Sequence, residues 1–241
     1  MDLQDRSVLL TGASRGLGAA LAHELGRRGA RLLLVARHAA GLEECAATLN
    51  AQHIEAHHLA ADIADKDAIH RIAGAAGALL GEVDILVHNA GTLGSEPLAL
   101  LADTACEDLV RAFEVNAIGP FRLTRALVGG MILRGRGLIA HISSDAAREA
   151  YPSWGAYGAS KAALEHLART WASELADTAV RSIVVDPGEM DTRMHAAAMP
   201  DADRSRLRSP CQVATRLAQV LADPRVANGA RIDLTEAGRS A

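Results

Sequence analysis

Tyr157 and Lys161 stand four residues apart in a chain with only two tyrosines and two lysines. Apart from Lys66, every other Lys/Arg position is arginine, so a lysine one helical turn after a scarce tyrosine stands out. On a helix, residues i and i+4 share a face, and both side chains reach one site. A phenol beside a fixed ammonium is a tuned proton donor, because the cation favours the phenolate and lowers its pKa from about 10.

A second constellation, Thr11-Gly12-Ala13-Ser14-Arg15-Gly16-Leu17-Gly18, follows the first apolar run and opens a helical segment. Glycines there permit a tight turn and let a pyrophosphate approach backbone N–H groups at the positive end of a helix. The spacing is G-x-x-x-G-x-G, and the lysine of a phosphate-binding P-loop is missing. After the second apolar run, where an acidic residue would bond a free ribose 2′-hydroxyl, the chain has Ala36-Arg37. Arg37 lies 19 residues after Gly18. With Arg15 it offers two guanidinium groups to a 2′-phosphate, which predicts NADP over NAD. The plain alternative is two surface arginines in an arginine-rich chain.

The elements that must position these groups follow from apolar patterning. Ser7–Leu10, Arg31–Ala36, Ile54–Ala60, Val83–His88, Gly137–Ile142, Val180–Asp186 and Ala230–Leu234 read as seven strands, apolar enough to be covered on both faces. Gly16–Arg28, Gly41–Gln52, Lys66–Leu80, Asp103–Leu133, Trp154–Ala176 and Pro210–Leu221 read as helices. This alternation predicts an α/β fold: one Rossmann-type domain over 1–241, a doubly wound parallel sheet of about seven strands flanked by helices. The least regular stretch, 190–209, follows the sixth strand. It reads as a substrate lid, with a plain surface loop as the alternative.

Composition narrows the function. Of the 241 residues 49% are hydrophobic but only 2% aromatic, so Ala, Leu, Val and Ile must build the core. A net charge of -4 with no basic block argues against nucleic-acid and polybasic membrane partners. Cys45, Cys106 and Cys211 form no metal spacing and read as reduced thiols of a cytoplasmic protein. No signal peptide or membrane span is expected.

With these pieces in order, the chain resembles a short-chain dehydrogenase/reductase from about Ser7 to Leu234. The resemblance rests on the glycine turn, Asp62-Ile63, Asn89-Ala90-Gly91, Asn116, Ser143-Ser144, Tyr157-x-x-x-Lys161, and Pro187-Gly188 with Thr192. It implies hydride transfer between nicotinamide and a carbonyl or alcohol carbon. Tyr157 would be the general acid/base and Lys161 would lower its pKa and bond the nicotinamide ribose. Ser144, 13 residues before Tyr157, would bond the carbonyl oxygen, and Asn116 would hold a relay water. Asp62 and Ile63 would meet the adenine, and Asn89, Ala90 and Gly91 the adenosine side. Pro187, Gly188 and Thr192 would hold the carboxamide. The enoyl-reductase branch needs tyrosine at 154, where this chain has Trp154. His88 stands where many relatives have asparagine.

The resemblance also places a substrate pocket near Leu93-Gly94, Asp145-Ala146, Tyr151–Trp154, Glu189-Met190 and Met194. Trp154 would stack on substrate or simply pack. Glu189 would meet a polar or cationic group or face solvent. A homodimer or homotetramer is expected; the last strand lacks the Asp-Gly-Gly ending many relatives carry and the tail is short, which puts one tetramer contact in doubt. The rival class is a catalytically silent NADP-binding sensor or scaffold.

Overall fold

The computed structural model describes residues 3–235. Seven strands, β1 (Ser7–Thr11), β2 (Arg31–Ala36), β3 (Ala56–Ala60), β4 (Ile85–His88), β5 (Gly137–Ile142), β6 (Val180–Asp186) and β7 (Arg231–Asp233), form one sheet. Their order is β3-β2-β1-β4-β5-β6-β7, and every neighbouring pair is parallel. The order reverses between β1 and β4, which opens a crevice at their carboxyl ends. The expected Rossmann-type architecture is present.

Helices α1 (Gly16–Arg27), α2 (Ala39–Ala51) and α8 (Pro210–Ala222) share one core with Val8, Leu10, Leu32 and Leu34. On the other face, α3 (Lys66–Leu80) and α5 (Gly119–Leu133) pack on Leu9, Leu33, Leu86 and Ile139. Alternate strand residues thus enter opposite cores, which is why the strands read as unbroken apolar runs. The remaining helices are α4 (Cys106–Phe113), α6 (Gly155–Glu174) and α7 (Arg193–Ala198). No helix among the described residues is long and apolar enough to cross a membrane.

Two expectations need correction. The single helix read over Asp103–Leu133 is a 3-10 turn at Leu101–Asp103, then α4, a π-helical turn over Glu114–Ile118, and α5. Pro120 has no N–H to give the Asn116 carbonyl four residues back, and the backbone takes the wider spacing, Gly119 N–H bonding Glu114 O. The segment 190–209 is more regular than its sequence suggests. It contains α7 and a 3-10 turn at Arg204–Arg206, and it closes on itself where Met190 pairs with Arg208. An Arg204–Asp191 ion pair fastens the same neck.

His88 and His141 sit in register on β4 and β5, each 1% exposed, with rings stacked 5.0 Å apart. Nε2 of His88 meets Thr124 Oγ1 at 2.8 Å, Nε2 of His141 meets Ser182 Oγ at 3.3 Å, and both Nδ1 atoms lack partners. Burial, followed by nearby positive charge, holds both imidazoles neutral, His141 lowered to about 3 and His88 well below the ordinary value. His88 is therefore a packed strand-end residue. The unfolded chain takes up these protons near pH 6.5 while the folded chain refuses them, so their contribution to stability is lost as pH falls below 6.5. Urea unfolding should lose up to about 1.4 kcal/mol per pH unit per histidine between pH 6 and 4. A His88→Asn, His141→Gln variant should show a shallower slope; an unchanged slope contradicts the assignment.

Candidate active site

The glycine turn is built for a close approach. Gly12 has φ +70°, and a Cβ there would lie 2.7 Å from Ala90 Cα. A Cβ on Gly18 would strike the Gly12 carbonyl. Asn89 Nδ2 donates to the carbonyls of Thr11 (3.0 Å) and Gly12 (3.1 Å), while Thr11 Oγ1 accepts from the N–H groups of Asn89 and Ala90. This lattice ties the end of β1 to that of β4 across the switch point. No side chain caps α1 and no acidic residue occupies its first turn, leaving its N–H groups for an anion. Leu17 contributes only backbone, since its side chain is buried in the core; Ser14 is half-buried, its carbonyl facing Gly41.

Arg15 and Arg37 are exposed and make no ion pair among the described residues. A cleft with close-set glycines, an uncapped helix start and two unpaired guanidiniums fits a phosphorylated dinucleotide. Asp62, by contrast, is engaged: Oδ2 takes Arg111 Nη2 at 2.7 Å and Oδ1 accepts from Ala64 N–H. Burial pushes its carboxyl up, but these bonds and the charges of Arg111 and Arg37 outweigh that and hold it low. Ile63 is buried, packed beneath Gly119, so its side chain belongs to the core.

At the other end of the cleft, Tyr157 and Lys161 lie on one face of α6, both buried. Lys161 Nζ donates to the Ile142 carbonyl at 2.7 Å and lies 5.7 Å from the Tyr157 ring centroid. Burial lowers it to about 8 against the opposing pull of Asp186 and Glu165. The expectation that Lys161 lowers the Tyr157 pKa is not met in the protein alone. Burial drives the phenol well above its ordinary value, the hydroxyl of Ser144 pulls it back in part, and Asp186 and Asp145 push it further. The physical reason is that the phenol is desolvated, while the Lys161 ammonium donates to a strand-end carbonyl and does not bond the phenol.

Ser143 donates to Glu165 Oε1 at 2.8 Å, whereas Ser144 Oγ donates to Asp145 Oδ1 at 2.8 Å and acts on the phenol of Tyr157. Asn116 is fully buried; its amide donates to Thr92 O and Ser160 Oγ and its oxygen accepts from Thr92 N–H. A Cβ on Gly91 would lie 3.4 Å from Asn116 Oδ1 and 3.7 Å from Lys161 Nζ, which puts these three together. Pro187 is buried at the end of β6, Gly188 N–H bonds Asp186, and Thr192 caps α7 through His195 N–H. Thr192 Cγ2 also stands 3.5 Å from where a Gly16 Cβ would be, so the loop after β6 faces the glycine turn.

A cavity of about 690 Å3 opens beside Ser144 and Tyr157, with Trp154, Glu189, Met194, Pro187, Gly188 and Thr192 in its walls. His195, Met199, Asp186, Asp233 and Thr235 also line it and were not singled out from sequence. Behind Ser144 lies a charged network equally invisible in the sequence. Arg231 donates to Glu165 Oε1 (2.9 Å), Asp186 Oδ2 (2.8 Å) and the Ser144 carbonyl (3.3 Å). One signal was available: Glu165 continues the i, i+4 face of Tyr157 and Lys161 on α6.

The comparisons decide the family. The short chain dehydrogenase family model matches residues 6–203. The chain belongs to the short-chain dehydrogenase family. It is 37% identical to the uncharacterized oxidoreductase MT0954 of Mycobacterium tuberculosis, over 92% of this chain and 82% of that one. A Shigella flexneri structure complexed with NADP aligns with TM-score 0.91 and 27% identity, covering 98% and 99% of the two chains. An NAD+-bound xylitol dehydrogenase shares the fold with TM-score 0.87 at 22% identity, over 97% and 99%. As a member of this oxidoreductase family, the protein binds a nicotinamide nucleotide.

Arg231 acts as a positioning residue for the Ser143-Ser144 turn. Arg231→Met removes the ion-pair partner of Asp186 and one of the three arginines around Glu165, and chemical denaturation should show a loss of roughly 3 kcal/mol. Arg231→Lys should recover part of it. A loss below about 0.5 kcal/mol for Arg231→Met, within the range of an ordinary surface substitution, contradicts this role.

Proposed function

We propose that the protein is an NADP(H)-dependent carbonyl reductase, an alcohol dehydrogenase in the reverse direction. The carrying observation is that Ser144 and Tyr157 line one cavity, beside a loop after β6 that faces the glycine turn, where the glycines and unpaired arginines suit a phosphorylated dinucleotide. The reduced nicotinamide, when bound, supplies the two electrons and one hydrogen as hydride. Ser144 donates to the carbonyl oxygen and steadies the charge that develops there. Tyr157, held protonated by its surroundings, gives that oxygen its proton, so that C=O becomes CH–OH. Lys161 serves the ribose and restores the phenol.

Asn116 has its side-chain donors committed to Thr92 and Ser160, so the part suited to a relay water is its main-chain carbonyl, deprived of an α-helical donor by Pro120. Arg15 and Arg37 are the proposed 2′-phosphate clamp. Asp62 would accept from the adenine amino group through an oxygen shared with its present partners; Ile63 would offer backbone. Asn89, Ala90 and Gly91 border the adenosine side, and Pro187, Gly188 and Thr192 the carboxamide. The 190–209 segment acts as the substrate lid, since α7 and its flanks carry Met194, His195 and Met199 into the cavity wall.

We place this single-domain enzyme in the cytoplasm, consistent with three unpaired cysteines, and as a homodimer or homotetramer. The exposed side chains of Leu109, Val110, Ile118 and Phe121 on α4, the π turn and α5 supply the apolar face for assembly; a monomer mass by light scattering rejects it.

Purified protein should reduce reactive ketones with NADPH. Tyr157→Phe should cut kcat by roughly 100-fold or more while NADPH affinity stays within about threefold. Arg15→Ala with Arg37→Ala should weaken NADPH by roughly tenfold or more and leave NADH nearly unchanged. Wild-type turnover in Tyr157→Phe removes its role; equal effects on both nucleotides remove the phosphate clamp.

A further inference from the structure

The cavity beside Tyr157 has walls of one electrical sign. Four carboxylates line it, Asp145, Asp186, Glu189 and Asp233, and no lysine or arginine does. Two of the four are compensated from behind. Asp186 is bonded by Arg231 at 2.8 Å, and Asp233 accepts from Thr235 in the field of Arg231 and Arg208. The other two have no arginine or lysine in ion-pair range among the described residues. Asp145 accepts from Ser144 Oγ (2.8 Å), Tyr151 Oη (3.0 Å) and Ala146 N–H (2.8 Å), all neutral donors. Glu189 has only His195 Nε2, 3.5 Å away, and its side chain is 66% exposed.

Aromatic faces complete the wall. Tyr151 and Trp154 meet edge-to-face at 6.4 Å between centroids, and Trp154 and Tyr157 do so at 5.7 Å. Three rings thus run from the mouth to the reacting phenol. Ser153, with φ +71°, adopts the left-handed backbone that few non-glycine residues take, in the turn that presents Trp154. Asp145 accepts from the Tyr151 phenol and raises its pKa, with Glu149 and Glu189 adding smaller effects of the same sign. Unpaired carboxylates beside aromatic faces attract a positive group and repel an anion.

We propose that the substrate is a carbonyl compound, or its alcohol, bearing an organic ammonium group. The ammonium is held at the mouth by Asp145, Glu189 and the faces of Tyr151 and Trp154, while the carbonyl reaches Ser144 and Tyr157. This rests on the reductase reading above and names the class of compound for that site. The ammonium keeps its charge throughout; only the carbonyl carbon is reduced.

The test uses three ketones with one reacting group: acetophenones carrying trimethylammoniomethyl, neopentyl or carboxymethyl at the 4-position. With NADPH, the ammonium ketone should exceed its neutral isostere in kcat/KM by roughly tenfold or more, chiefly through KM, and the carboxylate should be poorest. Glu189→Gln, and Asp145→Asn with it, should shrink the cation-to-neutral ratio toward one. A second readout needs no turnover. Trp171→Phe leaves Trp154 as the lone tryptophan, and its fluorescence should respond saturably to benzyltrimethylammonium and not to phenylacetate. Equal or reversed preference in both assays overturns the ammonium class and leaves the reductase reading standing. Saturable ammonium binding with none of the ketones reduced supports the ammonium site and overturns the reductase reading instead.

Discussion

The active end of this molecule depends on one costly arrangement: a phenol and an ammonium buried side by side at the carboxyl edge of a parallel sheet. Neither tolerates burial easily. Lys161 is kept by the Ile142 carbonyl and by the field of Asp186 and Glu165, and even so drops to about 8. Those carboxylates are in turn kept by Arg231. The chain of compensation runs from β7 through α6 and β6 to this pair, so the short last strand supports it electrostatically.

One of these carboxylates, Asp186, also acts on Tyr157. Burial, then Asp186 and Asp145, keep the phenol protonated, with Ser144 as the opposing influence. A phenol so held carries its proton at neutral pH but is a weak acid, and it gives that proton up more readily only when a positive charge beside the ring stabilises the phenolate. Lys161 in its present orientation donates to the Ile142 carbonyl and does not bond the phenol.

Much of this was legible in the sequence. Strand patterning gave the doubly wound sheet because both faces are covered and the runs are apolar. The glycine turn, Asn89 and the Tyr157/Lys161 spacing are local and could be read directly. What stayed hidden depends on direction or on distant partners. Spacing shows that Tyr157 and Lys161 share a face, not where the ammonium points. Arg231 lies 66 residues from Glu165, with no local pattern linking them. The break in the long helix was masked because apolar periodicity continues across it; Pro120 was the only warning. The Ala-rich α7 is hidden because the arginines and acids around it carry no periodicity.

The most direct test of this account is the titration of Tyr157 itself. Since the chain has two tyrosines, Tyr151→Phe leaves Tyr157 as the sole phenol, and its ionisation can be followed by ultraviolet difference absorbance with and without NADP+. The account predicts no phenolate at pH 10 in the free protein and a large downward shift when the positively charged nicotinamide binds. A phenol that titrates near its ordinary value of about 10 in both states contradicts it.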